Sequence, residues 1–70
     1  MKFAVVYEKT ETGFSAYAPD LPGCIAAGTT LPETQKLMHE AVEMHLEGMR
    51  EDGDPIPEPK AVADYVTVSA

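Results

Sequence analysis

A rigid turn in the first half of the chain places the strongest limit on how the chain can fold. Its sequence is Tyr-Ala-Pro-Asp-Leu-Pro-Gly-Cys over residues 17–24. Each proline fixes its own φ angle and disfavours the helical region for the residue before it. Apolar residues alternate on both sides of the turn, so it should join two antiparallel strands, with a geometry specified more tightly than a plain hairpin requires.

The pattern around this turn predicts a sheet of four short strands. Apolar alternation and turn residues place them at residues 3–8, 14–18, 24–27 and 64–69. The third strand consists of small residues, which suggests that another element approaches it closely. A proline-rich segment at 54–59 precedes the last strand and should run extended and stiff, because it suits neither a helix nor a ladder strand.

One long amphipathic helix is predicted between residues 30 and 52. Thr30 and Glu33 have the spacing of a capping box, and Gly53 can supply the left-handed residue that ends the helix. Six residues at helical spacing should form the core-facing stripe: Met38, Ala41, Val42, His45, Leu46 and Met49. The opposite side is charged, so this face should lie in water.

The order of these elements predicts an α+β fold with a particular sheet. After an antiparallel meander, a right-handed crossover through the helix places the last strand parallel to the first, in the strand order 3-2-1-4. Seventy residues make a single small domain, 1–70. With one cysteine it has no intrachain disulfide, so we expect tight packing or association, and a homodimer or higher homo-oligomer in particular.

Four features follow one another along the chain: the proline turn, Gly28-Thr29-Thr30, the acidic helix and the closing Ile-Pro-Glu-Pro at 56–59. Together they resemble the HicB-like antitoxin domain over almost the whole chain. The family commonly has Gly-Asp-Thr where this chain has Gly28-Thr29-Thr30, and an acidic residue plus alanine where this chain has Glu33 and Thr34. The resemblance implies a partial, degraded ribonuclease H-like fold, which agrees with the predicted topology. It also implies an antitoxin that binds a small basic HicA-like toxin, an mRNA-cleaving ribonuclease.

Charge and hydropathy narrow the classes of partner. Twelve acidic and five basic residues give a formal net charge of −7, which repels a phosphate backbone and leaves few cations for counterion release. We therefore expect no direct nucleic-acid binding. Eleven residues follow Pro59 and the last predicted strand uses most of them, so we also expect no separate DNA-binding domain of the kind that longer family members carry. No apolar run approaches a membrane span and the N-terminus does not resemble a signal peptide, so we expect a cytoplasmic protein without a membrane partner.

The chain shows no pattern typical of catalysis, a metal or a cofactor. Glu8 and Asp64 should lie at opposite ends of parallel strands and cannot close a nuclease-type two-metal site. Cys24 has no basic neighbour to activate it, and we expect a small buried side chain. His39 and His45 are six residues apart and fall on different helix faces, so a structural role is expected for each. We predict that the protein is not an enzyme.

The remaining candidates point to protein binding. Asp20 is expected to hold the turn by accepting hydrogen bonds from nearby backbone N–H groups, or else to face a partner together with Leu21. The other candidate is the acidic side of the helix, which would meet basic groups of a toxin or else remain a solvated surface. Its residues are Glu40, Glu43, Glu47 and Glu51. Alternative functions are a stand-alone structural or small-ligand-binding module and, less favoured, a residual metal-dependent nuclease.

Overall fold

A three-stranded antiparallel sheet carries one long helix in the computed structural model, which describes residues 1–69. The elements are β1 (Val6–Lys9), β2 (Phe14–Tyr17), β3 (Ile25–Gly28) and α1 (Leu31–Glu51). The strand order is β1-β2-β3, so β2 is central and both of its neighbours are edge strands. The predicted α+β class is confirmed. Within residues 1–69, no helix combines the length and apolarity that crossing a membrane requires.

The turn between β2 and β3 is closed by three backbone hydrogen bonds. The N–H of Leu21 donates to the carbonyl of Ala18 at 3.0 Å, and the N–H of Cys24 donates to the carbonyl of Leu21 at 3.0 Å. The N–H of Ala18 in turn donates to the carbonyl of Cys24 at 3.3 Å. Gly23 has a φ of 83°, a left-handed conformation that glycine adopts without steric cost. The tightly specified turn is thus formed as a double turn.

This turn also explains why β1 is shorter than predicted. Val6 pairs with Tyr17, so Val5 would have to pair with Ala18. The N–H of Ala18 points to Cys24 on the β3 side and its carbonyl to Leu21, so neither group is directed at β1. The next residue, Pro19, has no N–H to donate to a strand opposite it. Residues 3–5 therefore have no strand opposite them, and β1 begins at Val6 instead of Phe3.

The start of α1 follows the predicted capping chemistry with one difference. Thr30 is the N-cap, and its side-chain oxygen accepts a hydrogen bond from the N–H of Glu33 at 3.2 Å. The carboxylate of Glu33 accepts from the N–H and the hydroxyl of Thr29, at 3.2 and 3.1 Å, and not from the N–H of Thr30. The buried hydroxyl of Thr34 donates to the carbonyl of Thr30 at 2.8 Å. The first turn of the helix is thereby fixed to the end of β3.

The helix ends in a Schellman motif at the predicted glycine. Gly53 has a φ of 72°, and its N–H donates to the carbonyl of Arg50 at 3.2 Å. The N–H of Asp54 donates to the carbonyl of Met49 at 2.9 Å. These two bonds satisfy carbonyl groups that the end of a helix otherwise leaves unpaired.

The core lies between α1 and the end of the sheet that carries the turn. Its buried residues are Ala16, Ala18, Leu21, Cys24 and Met38. The helix packs mainly across β2 and β3, where small side chains allow a close approach. On the β1 side, Val42 and Leu46 of the predicted core stripe are only partly buried.

The predicted fourth strand is not formed. Residues 64–69 have no regular secondary structure and are exposed, and the sheet of the described residues ends at β1. The predicted strand order 3-2-1-4 and the ribonuclease H-like topology both depend on this strand, and neither is confirmed. The physical reason is that a strand requires a partner for its backbone groups, and no element of the described chain lies alongside residues 64–69.

Candidate protein-binding surface

The four glutamates predicted to form an acidic surface all lie exposed on α1. Glu40, Glu47 and Glu51 follow one another along the side of the helix that faces away from the core. Glu43 lies further round, where its carboxylate Oε1 is 2.7 Å from Nε2 of His39. A pair this exposed contributes little to stability. The acidic side of the helix is therefore available for electrostatic contacts.

Exposed apolar side chains lie directly beside these glutamates. Met44 is 73% exposed, Ile25 of β3 is 70% exposed, and Leu37 is 38% exposed. Together with Glu40 and Glu47 they form a continuous surface, which we call the Met44 face. A shallow groove of about 360 Å³ runs along it between β3 and α1. Adjacent exposed apolar groups with a charged rim are typical of a protein-binding site.

Sequence reasoning identified the acidic part of this surface and missed the apolar part. The available signal was the helical spacing, since Leu37, Glu40, Met44 and Glu47 follow the i, i+3, i+7, i+10 series of one helix face. Ile25 gave no such signal, because only the register of β3 shows that its side chain points away from the core. The outer edge of β3, beside the Met44 face, has no strand partner among the described residues.

Asp20 accepts its hydrogen bonds from a distant segment and not from nearby N–H groups of its own turn. Its Oδ2 accepts hydrogen bonds from the N–H groups of Lys60 and Ala61, both at 2.9 Å. These residues lie forty positions along the chain, so Asp20 joins the β2–β3 turn to the segment after the helix and does not cap its own turn. The bonds from Ala61 and Lys60 lower the pKa of the Asp20 carboxyl, because they stabilise its charged form.

Leu21 is not part of any exposed surface. Its side chain is fully buried in the core, and its backbone N–H and carbonyl are both bonded within the turn. A residue in this position stabilises the fold, and it has neither an exposed side chain nor an unpaired backbone group with which a partner could form contacts. We therefore leave Leu21 out of the candidate surface and assign it to the core.

The cysteine and the histidines form no reactive group together. Cys24 is buried, and its burial raises the pKa of the thiol, which disfavours the reactive thiolate. His39 is exposed, and His45 lies half-buried beside Ala41 and Met44 at the end of the Met44 face. Among residues 1–69, no group of three or more His, Cys, Asp or Glu side chains is arranged to hold a metal ion.

The chain is similar to the members of one protein family. Residues 3–69 match the family model described as the HicB-like antitoxin of bacterial toxin–antitoxin systems. An uncharacterized 14.9 kDa protein from the rep-hol intergenic region of Haemophilus phage HP1 is 36% identical over 66 residues, which make up 94% of this chain and 50% of the phage protein. A UPF0150 protein of Archaeoglobus fulgidus is 42% identical over 57 residues, or 77% of this chain and 83% of that protein.

Two solved structures resemble the chain in both fold and sequence. A chain of a HicA3 and HicB3 toxin–antitoxin complex superposes with a TM-score of 0.72 and 37% identity, covering 84% of this chain and 70% of that one. The crystal structure of antitoxin HicB3 gives a TM-score of 0.68 and 37% identity, covering 81% of this chain and 42% of that one. The chain thus spans about half of the phage protein and less than half of the HicB3 chain.

Proposed function

The chain belongs to the HicB-like antitoxin family of bacterial toxin–antitoxin systems, and on that premise we propose that it neutralises a small basic HicA-like toxin by binding it through the Met44 face. Binding at this surface would cover the toxin groups that hold RNA. Such a role is non-enzymatic, because occlusion requires a complementary surface and no chemical step. We place the interaction in the cytoplasm, where a toxin that cleaves mRNA meets its substrate.

The observation that carries this proposal is the combination of exposed apolar groups and carboxylates on one surface. Met44 and Ile25 can supply apolar contacts at the centre of an interface, where most of the binding energy is found. Glu40, Glu47 and Glu51 lie beside them and can meet the Lys and Arg side chains that a ribonuclease uses to hold phosphates. The net charge of −7 acts in the same direction by attracting a basic partner over a longer range.

The solved structures support the choice of partner. One chain similar to this one comes from a complex of HicA3 with HicB3, so binding of a HicA-type toxin is a known arrangement for a protein of this fold. This chain covers only part of its longer relatives, and the expectation that residues 1–70 act without a separate DNA-binding domain stays a prediction. The proposal therefore concerns toxin binding alone.

The test is a charge reversal on α1 with a control of equal net charge. Changing Glu40, Glu47 and Glu51 together to Lys takes the net charge from −7 to −1, because each change adds two charges. The control changes three other exposed acidic residues to Lys, namely Glu11, Asp54 and Glu58, and reaches the same net charge. A HicA-like toxin encoded beside this chain is the ligand, and association is followed by stopped flow or surface plasmon resonance.

We expect the α1 variant to associate at least about tenfold more slowly than the control, because local charge complementarity raises the association rate more than net charge alone. The difference should shrink between about 50 and about 500 mM salt, over which screening becomes nearly complete. Equal association rates for the two variants would refute the role of the helix glutamates. A toxin that binds neither variant nor the unchanged chain would refute the proposed function itself.

A further inference from the structure

The segment after the proline-rich residues 54–59 carries apolar side chains that no other part of residues 1–69 covers. We call residues 62–69 the arm. Val62, Tyr65, Val66 and Val68 are 91%, 95%, 86% and 74% exposed. A soluble domain of this size rarely leaves four large apolar side chains in water within one short segment, and a group of this kind marks an interaction site.

The arm projects from the body of the domain. Asp20 holds the backbone of Lys60 and Ala61 against the β2–β3 turn, and the residues that follow leave the surface. The molecule measures 48 × 25 × 16 Å and has a radius of gyration of 13.7 Å, whereas a compact chain of this length has a value of about 11 Å. The exposure of the arm is therefore accompanied by an extended shape, and the point at which the arm leaves is fixed.

An open apolar groove lies on the side of the domain away from the Met44 face. It has a volume of about 460 Å³ and runs between α1 and the segment that leads into β1. Phe3, Val5 and Tyr7 form one wall, and Val42 and Leu46 of the helix contribute to the other. Beside it lies the outer edge of β1, which has no strand partner among the described residues. An open sheet edge of this kind can accept a further strand.

We propose that the arm of one copy of this chain pairs with the β1 edge of a second copy and covers its groove, and that the second copy does the same in return. The arm alternates in the way that such a strand requires, because Val62, Val66 and Val68 share one face when the backbone is extended. These valines can line the groove while the backbone of the arm pairs with β1.

The area that such an exchange would bury matches that of a stable dimer. Burying the three valines removes about 300 Å² of surface from each arm. The receiving groove loses a similar area, so two reciprocal arms bury about 1,200 Å² in total, at the lower end of the standard range for specific protein interfaces. A second copy supplies both an arm and a groove. One two-fold symmetric contact therefore covers the groove and the valines of the arm in both chains.

The first experiment measures the mass of the 70-residue chain by sedimentation equilibrium at micromolar concentration. We expect a dimer of twice 7.6 kDa. Val66→Asp should weaken dimerisation at least about 100-fold, because both arms carry the change. Thr67→Asp is the matched control, since it places the same charge on the other face of the arm and should leave the dimer intact. Both residues are exposed in the isolated chain, so neither change disturbs its folding.

The second experiment identifies the chain that occupies the groove. In an equal mixture of isotope-labelled and unlabelled chains, filtered NMR spectra should show contacts between different molecules joining Val66 or Val68 to Val5 or Tyr7. A monomer, contacts within one chain only, or a dimer that Val66→Asp leaves unchanged would each overturn the proposal. An arm that changes its NMR signals only when a basic toxin is added would also overturn it, and would assign the groove to the toxin. None of these readouts requires toxin binding at the Met44 face.

Discussion

Replacing Met38 by alanine should remove a large part of the stability of this domain, whereas the same change at Met44 should not. Both methionines lie on α1, six residues apart, but Met38 is fully buried and Met44 is 73% exposed. The two substitutions alter helix propensity in the same way. The difference between the variants therefore isolates the contribution of burial.

The magnitude follows from the surroundings of Met38. Buried methionine-to-alanine changes cost about 2–5 kcal/mol, and the cost rises with the volume of the cavity that remains. The buried neighbours of Met38 include Ala16, Ala18 and Cys24, whose short side chains cannot fill the space. We expect the free energy of unfolding to fall by about 3 kcal/mol. A domain of this length has a total stability of about 4–10 kcal/mol. The corresponding fall in melting temperature is about 12–24 °C.

Thermal unfolding followed by circular dichroism, with urea unfolding as a second measurement, would test this expectation. All samples need the same protein concentration, because association makes the melting temperature depend on it. Met44→Ala should stay within about 0.5 kcal/mol of the unchanged chain. If the two variants differed by less than about 1 kcal/mol, the placement of the core on the Met38 side of α1 would be incorrect.

The structure supports two further predictions. The hydrogen bonds from Ala61 and Lys60 lower the pKa of the Asp20 carboxyl in the folded chain, so its anchoring of the segment after the helix is complete above its ordinary value of 3.8 and is lost as the pH falls through the lower, folded value. The Lys60 and Ala61 amides should then lose their protection from hydrogen exchange relative to the unfolded chain at the same pH, and Asp20→Ala should remove this protection at every pH. Gly28→Ala would place a Cβ 2.7 Å from the buried Thr34 hydroxyl and should cost about 1–3 kcal/mol in urea unfolding. The Cβ of Gly48→Ala meets open space, so this change should stabilise the domain by about 0.5–1 kcal/mol. Equal effects at the two glycines would contradict the close contact between β3 and α1.

The features that sequence predicted well are those determined by local chemistry. The N-cap at Thr30, the helix stop at Gly53 and the double turn around Leu21 each depend on residues within a few positions of one another, and each is present in the structure. The acidic side of the helix is equally local, because helical spacing alone places Glu40 and Glu47 on one face.

The features that sequence missed depend on pairing between distant residues. Alternation over residues 64–69 predicts a strand that the structure does not form, because alternation carries no information about which sheet edge would pair with the segment. The bonds from Lys60 and Ala61 to Asp20 join positions forty residues apart, and a proline-rich turn explains an aspartate locally without them. Of the apolar residues in the Met44 face, Ile25 required the register of β3 against β2, whereas helical spacing alone places Leu37 and Met44 on the face of Glu40.

The two open edges of the sheet can serve different partners without competition. The Met44 face adjoins β3, whereas the groove proposed for the arm adjoins β1, and β2 separates the two strands. An exchange of arms at the β1 edge would therefore leave one Met44 face free on each copy, and a toxin bound there would not displace an arm. In such an arrangement Asp20 contributes to assembly without touching either partner, because it holds the root of the arm and so determines where the arm leaves the domain. In this arrangement each exposed apolar side of the domain would be covered by a partner of its own, the toxin at the Met44 face and the second copy at the groove beside β1.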